Sequence, residues 1–286
     1  MTAAVQALVW DATFPLLRLT GRGTRQFLHG QTSAAMQQAP DQRVIRSCWL
    51  TATGRVQALL EVRLDPDGAD VLVLCGDAQA VLAGFERVIF PADRVKIAGT
   101  SPCRRLQRLR PAPLPPDWDE DVIWPTDGNL PESWGGAKQA SQDHVEHWRV
   151  SQGLPFSPAE LNGDTNPLEL GLGAWVSVDK GCYLGQETVA KLASRDGVKQ
   201  QLRCWTLTPT DLTAKAPSPG DTLIGNGNRA GTITSAVQHG NSWQGLALIR
   251  RSFLTKPNLE LPNGGHAIAL HQPPAFKECG GDSTND

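Results

Sequence analysis

Lys180-Gly181-Cys182-Tyr183-Leu184-Gly185-Gln186-Glu187 is the stretch from which the rest of the chain is read. A lysine and a thiol lie two residues apart in it, and glycines so close to a thiol point to a backbone that bends tightly or approaches something closely. From Gln186 to Ser194 the spacing predicts a short helix, with Val189, Leu192 and Ala193 on one face and Lys191 turned away. Cys182 is therefore expected near a helix N-terminus and beside a lysine, two features that make a thiol reactive towards a ligand or partner. A small, buried, apolar cysteine is the alternative reading of the same residue.

The 286 residues suffice for a large core and point to two or three lobes rather than one. Lysine and arginine against aspartate and glutamate give 27 − 29 = −2, so no strong field of either sign marks a protein built mainly to grip nucleic-acid phosphates. The six cysteines, Cys48, Cys75, Cys103, Cys182, Cys204 and Cys279, are widely spaced and form no C-x-x-C pair, which argues against a zinc knuckle or a self-contained iron–sulfur site. Cys75 closes the apolar run Val71-Leu72-Val73-Leu74 and reads as a packed hydrophobe. Scattered cysteines of this kind fit a reducing cytosol. Met1 to Leu19 lacks a basic leader region, and Asp11 and Pro15 interrupt it, so it does not read as a signal peptide. No window approaches the roughly eighteen apolar residues of a membrane span. The expected setting is cytoplasmic, with no membrane partner.

Leu16 to Leu19 reads as a strand closed by Gly21 and Gly23, after which Thr24 is placed to cap a short helix carrying Phe27 and Leu28. Val44 to Leu50 and Val56 to Leu64 read as a hairpin turning near Thr53-Gly54, and Asp70 to Leu74 resumes the sheet after the turn Asp65-Pro66-Asp67-Gly68. Asp77 to Val88 has helical spacing, and Val95 to Ile97 reads as one more short strand. The first hundred residues are thus a meandering α+β unit rather than a βαβ series. The proline-rich segment 111–136 reads as loop or degenerate sheet. Gln142 to Ser151 reads as a helix ended by Gly153 and Pro155. Beyond Gln200 come short strands at Leu202–Leu207, Thr222–Ile224, Gly231–Val237 and Gly245–Ile249, parted by Pro, Gly and Asn turns, as in a small separate β-barrel or sandwich. Residues 272–286 are polar and read as a frayed tail.

Three smaller signals have plain readings. Gly225-Asn226-Gly227 followed by Gly231 has the wrong spacing for a phosphate loop and precedes a strand, so it reads as a hairpin turn. His144 and His147, three apart on the predicted helix, lack a third ligand and read as a solvated helix face. Most of the nine tryptophans read as packing residues, with Trp10, Trp49, Trp148 and Trp175 nearest the segments of interest.

The string KGCYLGQE resembles the signature of the YgfZ family, folate-binding proteins related to the aminomethyltransferase of the glycine cleavage system. Further segments are similar to family elements in the same order: Phe27-Leu28-His29-Gly30-Gln31-Thr32, Thr53-Gly54-Arg55-Val56, the trio Arg149, Gly153 and Pro155, and Asn166 to Leu172. Pro219-Gly220-Asp221 and Gly231 to Ser235 resemble the family's C-terminal barrel. The resemblance implies an α+β, three-lobed ring like the aminomethyltransferase fold, with residues 1–202 as the folate-binding region of two interleaved lobes and 203–271 as a C-terminal β-barrel.

By the same resemblance, Lys180 and Cys182 are the functional pair. Gly181, Gly185, Gln186 and Glu187 shape their loop, and with Tyr183, Arg149 and Ser151 they surround a tetrahydrofolate or a one-carbon derivative of it; Trp148, as a stacking ring, and Arg195, which reads equally as a cation capping the helix C-terminus, are further candidates for that site. No metal ligands are implied. The implied role is support for assembly or repair of iron–sulfur clusters, with iron–sulfur client or assembly proteins as partners, tRNA-modifying enzymes among the clients and no direct nucleic-acid contact. A folate-dependent aminomethyltransferase and a folate-free scaffold are the alternatives. Two departures bear on them. Ser151 stands where the aminomethyltransferases carry the acid that holds the pterin, and their catalytic aspartate falls near Leu82. A neutral hydroxyl forgoes a charge-assisted contact of about 1.5–3 kcal/mol.

Overall fold

In a computed structural model of the chain, residues 7–110, 121–125, 130–194, 197–208, 216–262 and 266–279 are described. The N-terminal part of the chain is built on β1 (Leu8–Thr20), α1 (Thr24–Gln31), β2 (Val44–Leu50), β3 (Val56–Asp65), β4 (Gly68–Gly76), α2 (Ala78–Glu86), β5 (Lys96–Leu109), β6 (Val122–Ile123), β7 (Lys138–Gln139) and α3 (Gln142–Gln152). Their strands form one seven-stranded sheet in the order β2-β3-β4-β1-β5-β6, with β7 running parallel to the first residues of β1. After α4 (Gln186–Ser194) come β8 (Gln200–Leu207), β9 (Thr222–Gly225), β10 (Asn228–His239), β11 (Ser242–Arg250), β12 (Asn258–Leu261) and β13 (His266–His271), which close a six-stranded barrel. This is the α+β architecture with a C-terminal barrel that the sequence implied.

Two local expectations hold, the stop of α3 at Gly153 and the hairpin turn at Asn226-Gly227. Ser141 caps α3 by accepting from the His144 amide at 3.2 Å, and Gly153 ends it at φ +77°, a conformation that favours glycine. Asn226 and Gly227 both have positive φ, 51° and 74°, which makes the β9–β10 connection a two-residue type I′ turn whose twist matches its strands.

Other boundaries differ. Thr24 is the first residue of α1 rather than its cap: Gly23 holds the cap position, and the Thr24 hydroxyl donates back to the Gly21 carbonyl at 2.8 Å. β1 and β5 are far longer than the short strands expected, because their polar residues and prolines are accommodated by each other. Pro15 faces Pro102 in register, which a ladder tolerates at a non-hydrogen-bonded pair, and Asp11 takes a two-point contact from Arg104 at 2.9 and 2.7 Å. Residues 272–279 are not a frayed tail. Phe276 is buried, the Lys277 amide donates to Gly171 and its carbonyl accepts from Gly173, and a Cβ on Gly171 would lie 2.3 Å from the Phe276 ring.

The sheet has two unlike faces. On one, Leu17, Leu19, Val62 and Val71 pack against Phe27 and Leu28 of α1 and Val81 and Phe85 of α2. The other face contributes Cys48, Leu59, Leu72 and Leu74 to a core shared with Leu172, Trp175 and Tyr183 and with barrel residues Leu202, Cys204, Leu246 and Leu248. Ions are buried there too. Arg105 donates from Nε and Nη2 to the two oxygens of the fully buried Glu61, both at 2.7 Å, and from Nη1 to Gln107 at 2.9 Å. Trp124 Nε1 adds a bond to Glu61 at 3.3 Å, and the guanidinium stacks 5.4 Å from the Trp10 ring centre and 5.9 Å from that of Phe14.

Burial alone would push the Glu61 carboxyl up, but the charges and hydrogen bonds of Arg105, with Arg46 and Trp124, outweigh it and hold the group below its ordinary 4.5. Its contribution is therefore present above the carboxylate range and is lost as pH falls through the lowered value. Glu61→Gln should cost about 3–5 kcal/mol in urea unfolding at neutral pH by stranding Arg105, and the gap to wild type should narrow in acid. Equal stability at neutral pH would contradict this account.

Candidate functional site

A cavity of about 720 Å³ opens between β1 and α3. Trp10 and Phe14 of β1 and Phe156, beyond α3, supply aromatic walls, while Asp143, Glu146 and Arg149 of α3 supply charge. The wall is positioned from beneath: Trp10 and Phe14 meet edge to face, with ring centres 5.6 Å apart, over the buried Arg105.

Arg149 lines this cavity but its donors are engaged elsewhere. Nε and Nη2 grip Glu146 at 2.7 and 2.5 Å, Nη2 also donates to Ser235 Oγ of β10 at 2.6 Å, and Nη1 reaches the Leu154 carbonyl at 2.7 Å and Glu160 at 3.3 Å. Burial would lower the Arg149 pKa, yet Glu146 and Glu160 raise it further still, so it is a fixed cation. Its role here is to hold Glu146, whose side chain is 42% exposed and turned to the cavity. Ser151 and Trp148 point elsewhere. The Ser151 hydroxyl donates to the Trp148 carbonyl at 2.8 Å, Trp148 Nε1 donates to the Arg110 carbonyl at 2.6 Å, and neither side chain lines the cavity. Glu146 and Asp143, which sequence reasoning passed over, are the acids on α3 that do. Their helical spacing with Arg149, at three and six residues, was the available signal. His147 is not on a solvated face either: it packs against His239 of β10, ring centres 5.7 Å apart, and lies 3.3 Å from Gln244 of β11.

The signature loop lies apart from this cavity, none of whose lining comes from residues 180–187. Lys180 reaches back to the end of α1, where Nζ donates to the carbonyls of His29, Thr32 and Ala34 at 2.6, 2.5 and 2.7 Å, above the ring of Tyr183. Burial pushes its ammonium down to about 7. The expected partnership of this ammonium with the thiol is thus replaced by a tether.

The Leu184 amide donates to Gly30 at 3.1 Å, and Gln186 Nε2 donates to the Lys180 carbonyl at 3.1 Å. Gly185, at φ +83°, lets the loop pass against the hairpin turn, since a Cβ there would lie 2.6 Å from the Thr51 carbonyl oxygen. Gly181 faces open space and Tyr183 is buried. Glu187 is exposed and pairs with Lys191 at 2.5 Å, and Arg195 lies outside the described residues.

Three segments remote in sequence, 27–32, 53–56 and 180–187, therefore meet around one loop. Cys182 is exposed on it, four residues ahead of α4 rather than in its first turn. The other cysteines are shielded. Burial pushes the thiols of Cys48 and Cys204 up to about 12 and those of Cys75 and Cys279 up to about 11, and it raises that of Cys103.

With this geometry in view, four likenesses to known proteins are informative. Residues 206–278 match the family described as CAF17, C-terminal beta-barrel domain. The chain is 26% identical over 282 residues to a chloroplastic protein of Arabidopsis thaliana named as a transferase, a match covering 83% of this chain and 64% of that protein, so it spans less than two thirds of that relative. It is 25% identical over 262 residues to the tRNA-modifying protein YgfZ of Escherichia coli, covering 78% of each. The fold is that of the glycine cleavage system aminomethyltransferase T from Bartonella henselae, with a TM-score of 0.70 over 96% of this chain and 88% of that one at 16% identity.

Two outcomes check this description. Iodoacetamide near neutral pH should label Cys182 first, and Cys182→Ser should abolish the fast phase; first labelling at Cys75 or Cys279 would refute the exposed-thiol geometry. Lys180→Met, which strands buried carbonyls, should lower stability by about 1–3 kcal/mol and speed proteolysis within 180–187. Unchanged stability would show that the tether does not hold the loop.

Proposed function

Because the chain belongs to the YgfZ family, we propose that it is a folate-binding accessory factor that supports iron–sulfur enzymes, tRNA-modifying ones among them. The observation that carries this reading is the cavity between β1 and α3. A reduced pterin is flat and presents adjacent N–H donors on one edge. Such a ring calls for aromatic walls and a carboxylate acceptor, and Trp10, Phe14, Phe156 and Glu146 provide both. On this reading Glu146, held by Arg149, takes the part of the acid that Ser151 lacks. Tetrahydrofolate or a one-carbon derivative of it is the cofactor. Cys182 is the residue we assign to contact with a client protein or its iron–sulfur cargo, since its thiol is exposed on a braced loop.

Turnover as an aminomethyltransferase is the less favoured reading. Leu82 packs with the apolar layer beneath α2 and offers no acid to the cavity. The division into a folate-binding region, 1–202, and a barrel, 203–271, is part of the same proposal, as is a cytoplasmic setting. Among the described residues no helix is long and apolar enough to cross a membrane.

Tetrahydrofolate should quench tryptophan fluorescence through Trp10. Glu146→Gln should weaken binding by about tenfold, equivalent to about 1.4 kcal/mol, whereas Ser151→Glu should leave it unchanged. Absence of quenching, or full affinity in Glu146→Gln, would overturn the folate assignment. In a strain lacking this factor, Cys182→Ala should fold normally yet fail to restore the activity of an iron–sulfur tRNA-modifying enzyme. Full restoration would remove the thiol from the function.

A further inference from the structure

A second concavity, of about 910 Å³, shares no residue with the cavity behind Trp10. It lies where the β2–β3 hairpin, the segment before the signature loop and one end of the barrel come together. Its charged lining is Arg55, Lys199, Arg250 and Arg251 against Asp164 and Glu169. The local balance is 4 − 2 = +2, in a chain whose net charge is −2. The concentration of cations is therefore local rather than a general property of the surface.

The cations are mounted on rigid backbone. Arg250 is the last residue of β11 and pairs in register with Gln200 of β8, and the Arg251 amide donates to the Lys199 carbonyl at 2.9 Å. Three cations thus stand together on the rim of a closed barrel, where the ladder fixes their backbone. Arg55 faces them from the hairpin, its Nη1 donating to the Asp164 carbonyl at 2.6 Å and lying 3.7 Å from Glu169. The Leu202 amide donates to the Glu169 carbonyl at 2.8 Å, which ties this wall to the barrel.

Asp164 and Glu169 are the carboxylates that line the cleft. Glu169 is buried, its Oε2 accepts from the Asn166 amide at 3.0 Å, and burial raises its pKa against the pull of that bond and of Arg55. Lys199 and Arg250 remain exposed. Like charges placed side by side raise the local potential, which a counter-anion lowers. Arginine forks favour planar or tetrahedral oxyanions that accept two bonds at once. The cations stand on two walls, Arg55 on one and Lys199, Arg250 and Arg251 on the other, so a ligand that carries several phosphates offers acceptors to both.

We propose that this cleft binds an oligophosphate group, the phosphates of a ligand lying between Arg55 on the hairpin and the Lys199, Arg250 and Arg251 cluster on the barrel. The assignment is independent of folate binding in the other cavity.

Inorganic tripolyphosphate is the probe, titrated into the full chain by calorimetry at low salt. It should bind at least about tenfold more tightly than orthophosphate, and affinity should fall as salt is raised, because ions screen exposed charges. Lys199→Ala/Arg250→Ala alters only exposed side chains. It should keep the wild-type unfolding temperature and tetrahydrofolate quenching while losing about tenfold or more in tripolyphosphate affinity. No binding at millimolar tripolyphosphate, or unchanged binding by the double variant, would overturn the proposal. Equal affinity for tri-glutamate would also overturn it, by revealing a surface that accepts any polyanion. Loss of quenching without loss of tripolyphosphate binding would count against the folate reading alone.

Discussion

The knot of Arg149, Glu160 and Ser235 is the constraint on which the placement of α3 against the barrel depends. Glu160 is fully buried and accepts from Arg149, from the Ser157 amide and from the hydroxyls of Ser157 and Ser235. Arg149 in turn joins α3, the Leu154 carbonyl and the barrel strand β10. Buried charges of this kind cost a large desolvation energy and persist where their hydrogen bonds are complete. Completion requires all three parts of the chain at once, so the knot sets their relative position. The wall of the cavity formed by α3 is a consequence.

A second buried ion set does the same work across the sheet. Glu61 and Arg105 sit under Trp10 and Phe14, so the aromatic wall of the cavity rests on a salt bridge rather than on an apolar layer. Methyl-rich packing tolerates small shifts, whereas a two-point ionic contact fixes the guanidinium plane and the rings stacked on it. The floor of the cavity is thereby preorganised before any ligand arrives, which lowers the ordering cost of binding.

The signature loop is arranged on a different principle. Its lysine is buried among carbonyls, its tyrosine is buried beneath that lysine, and Gly185 lets it pass against the hairpin turn. Nearly everything in the string other than Cys182 and the exposed Glu187 serves to hold the loop. The thiol is left outside on a braced support, suited to meeting something that comes to the protein surface. The loop contributes no residue to the lining of the cavity behind Trp10, so the two are described as separate features.

Local sequence determined the elements whose residues answer to their neighbours. Ser141 and Gly153 delimit α3, Asn226-Gly227 specifies a type I′ turn, and the apolar period sets α4 at Gln186–Ser194. The ordered family-like motifs carried the overall architecture as well. What sequence left undecided were the contacts made at long range. Nothing near Lys180 reveals that its partners are carbonyls about 150 positions earlier. Nothing near Arg105 reveals Glu61, and nothing near Phe276 reveals Gly171. Charged residues in β5 read as surface until the acids that pair with them are brought alongside, which is why that strand looked short. Glu146 acquires its place at the cavity only when the fold sets it beside Trp10 and Phe14. Propensity, capping and turn chemistry act over a few residues and are written locally, whereas the value of a buried charge depends on a partner that only the folded chain delivers.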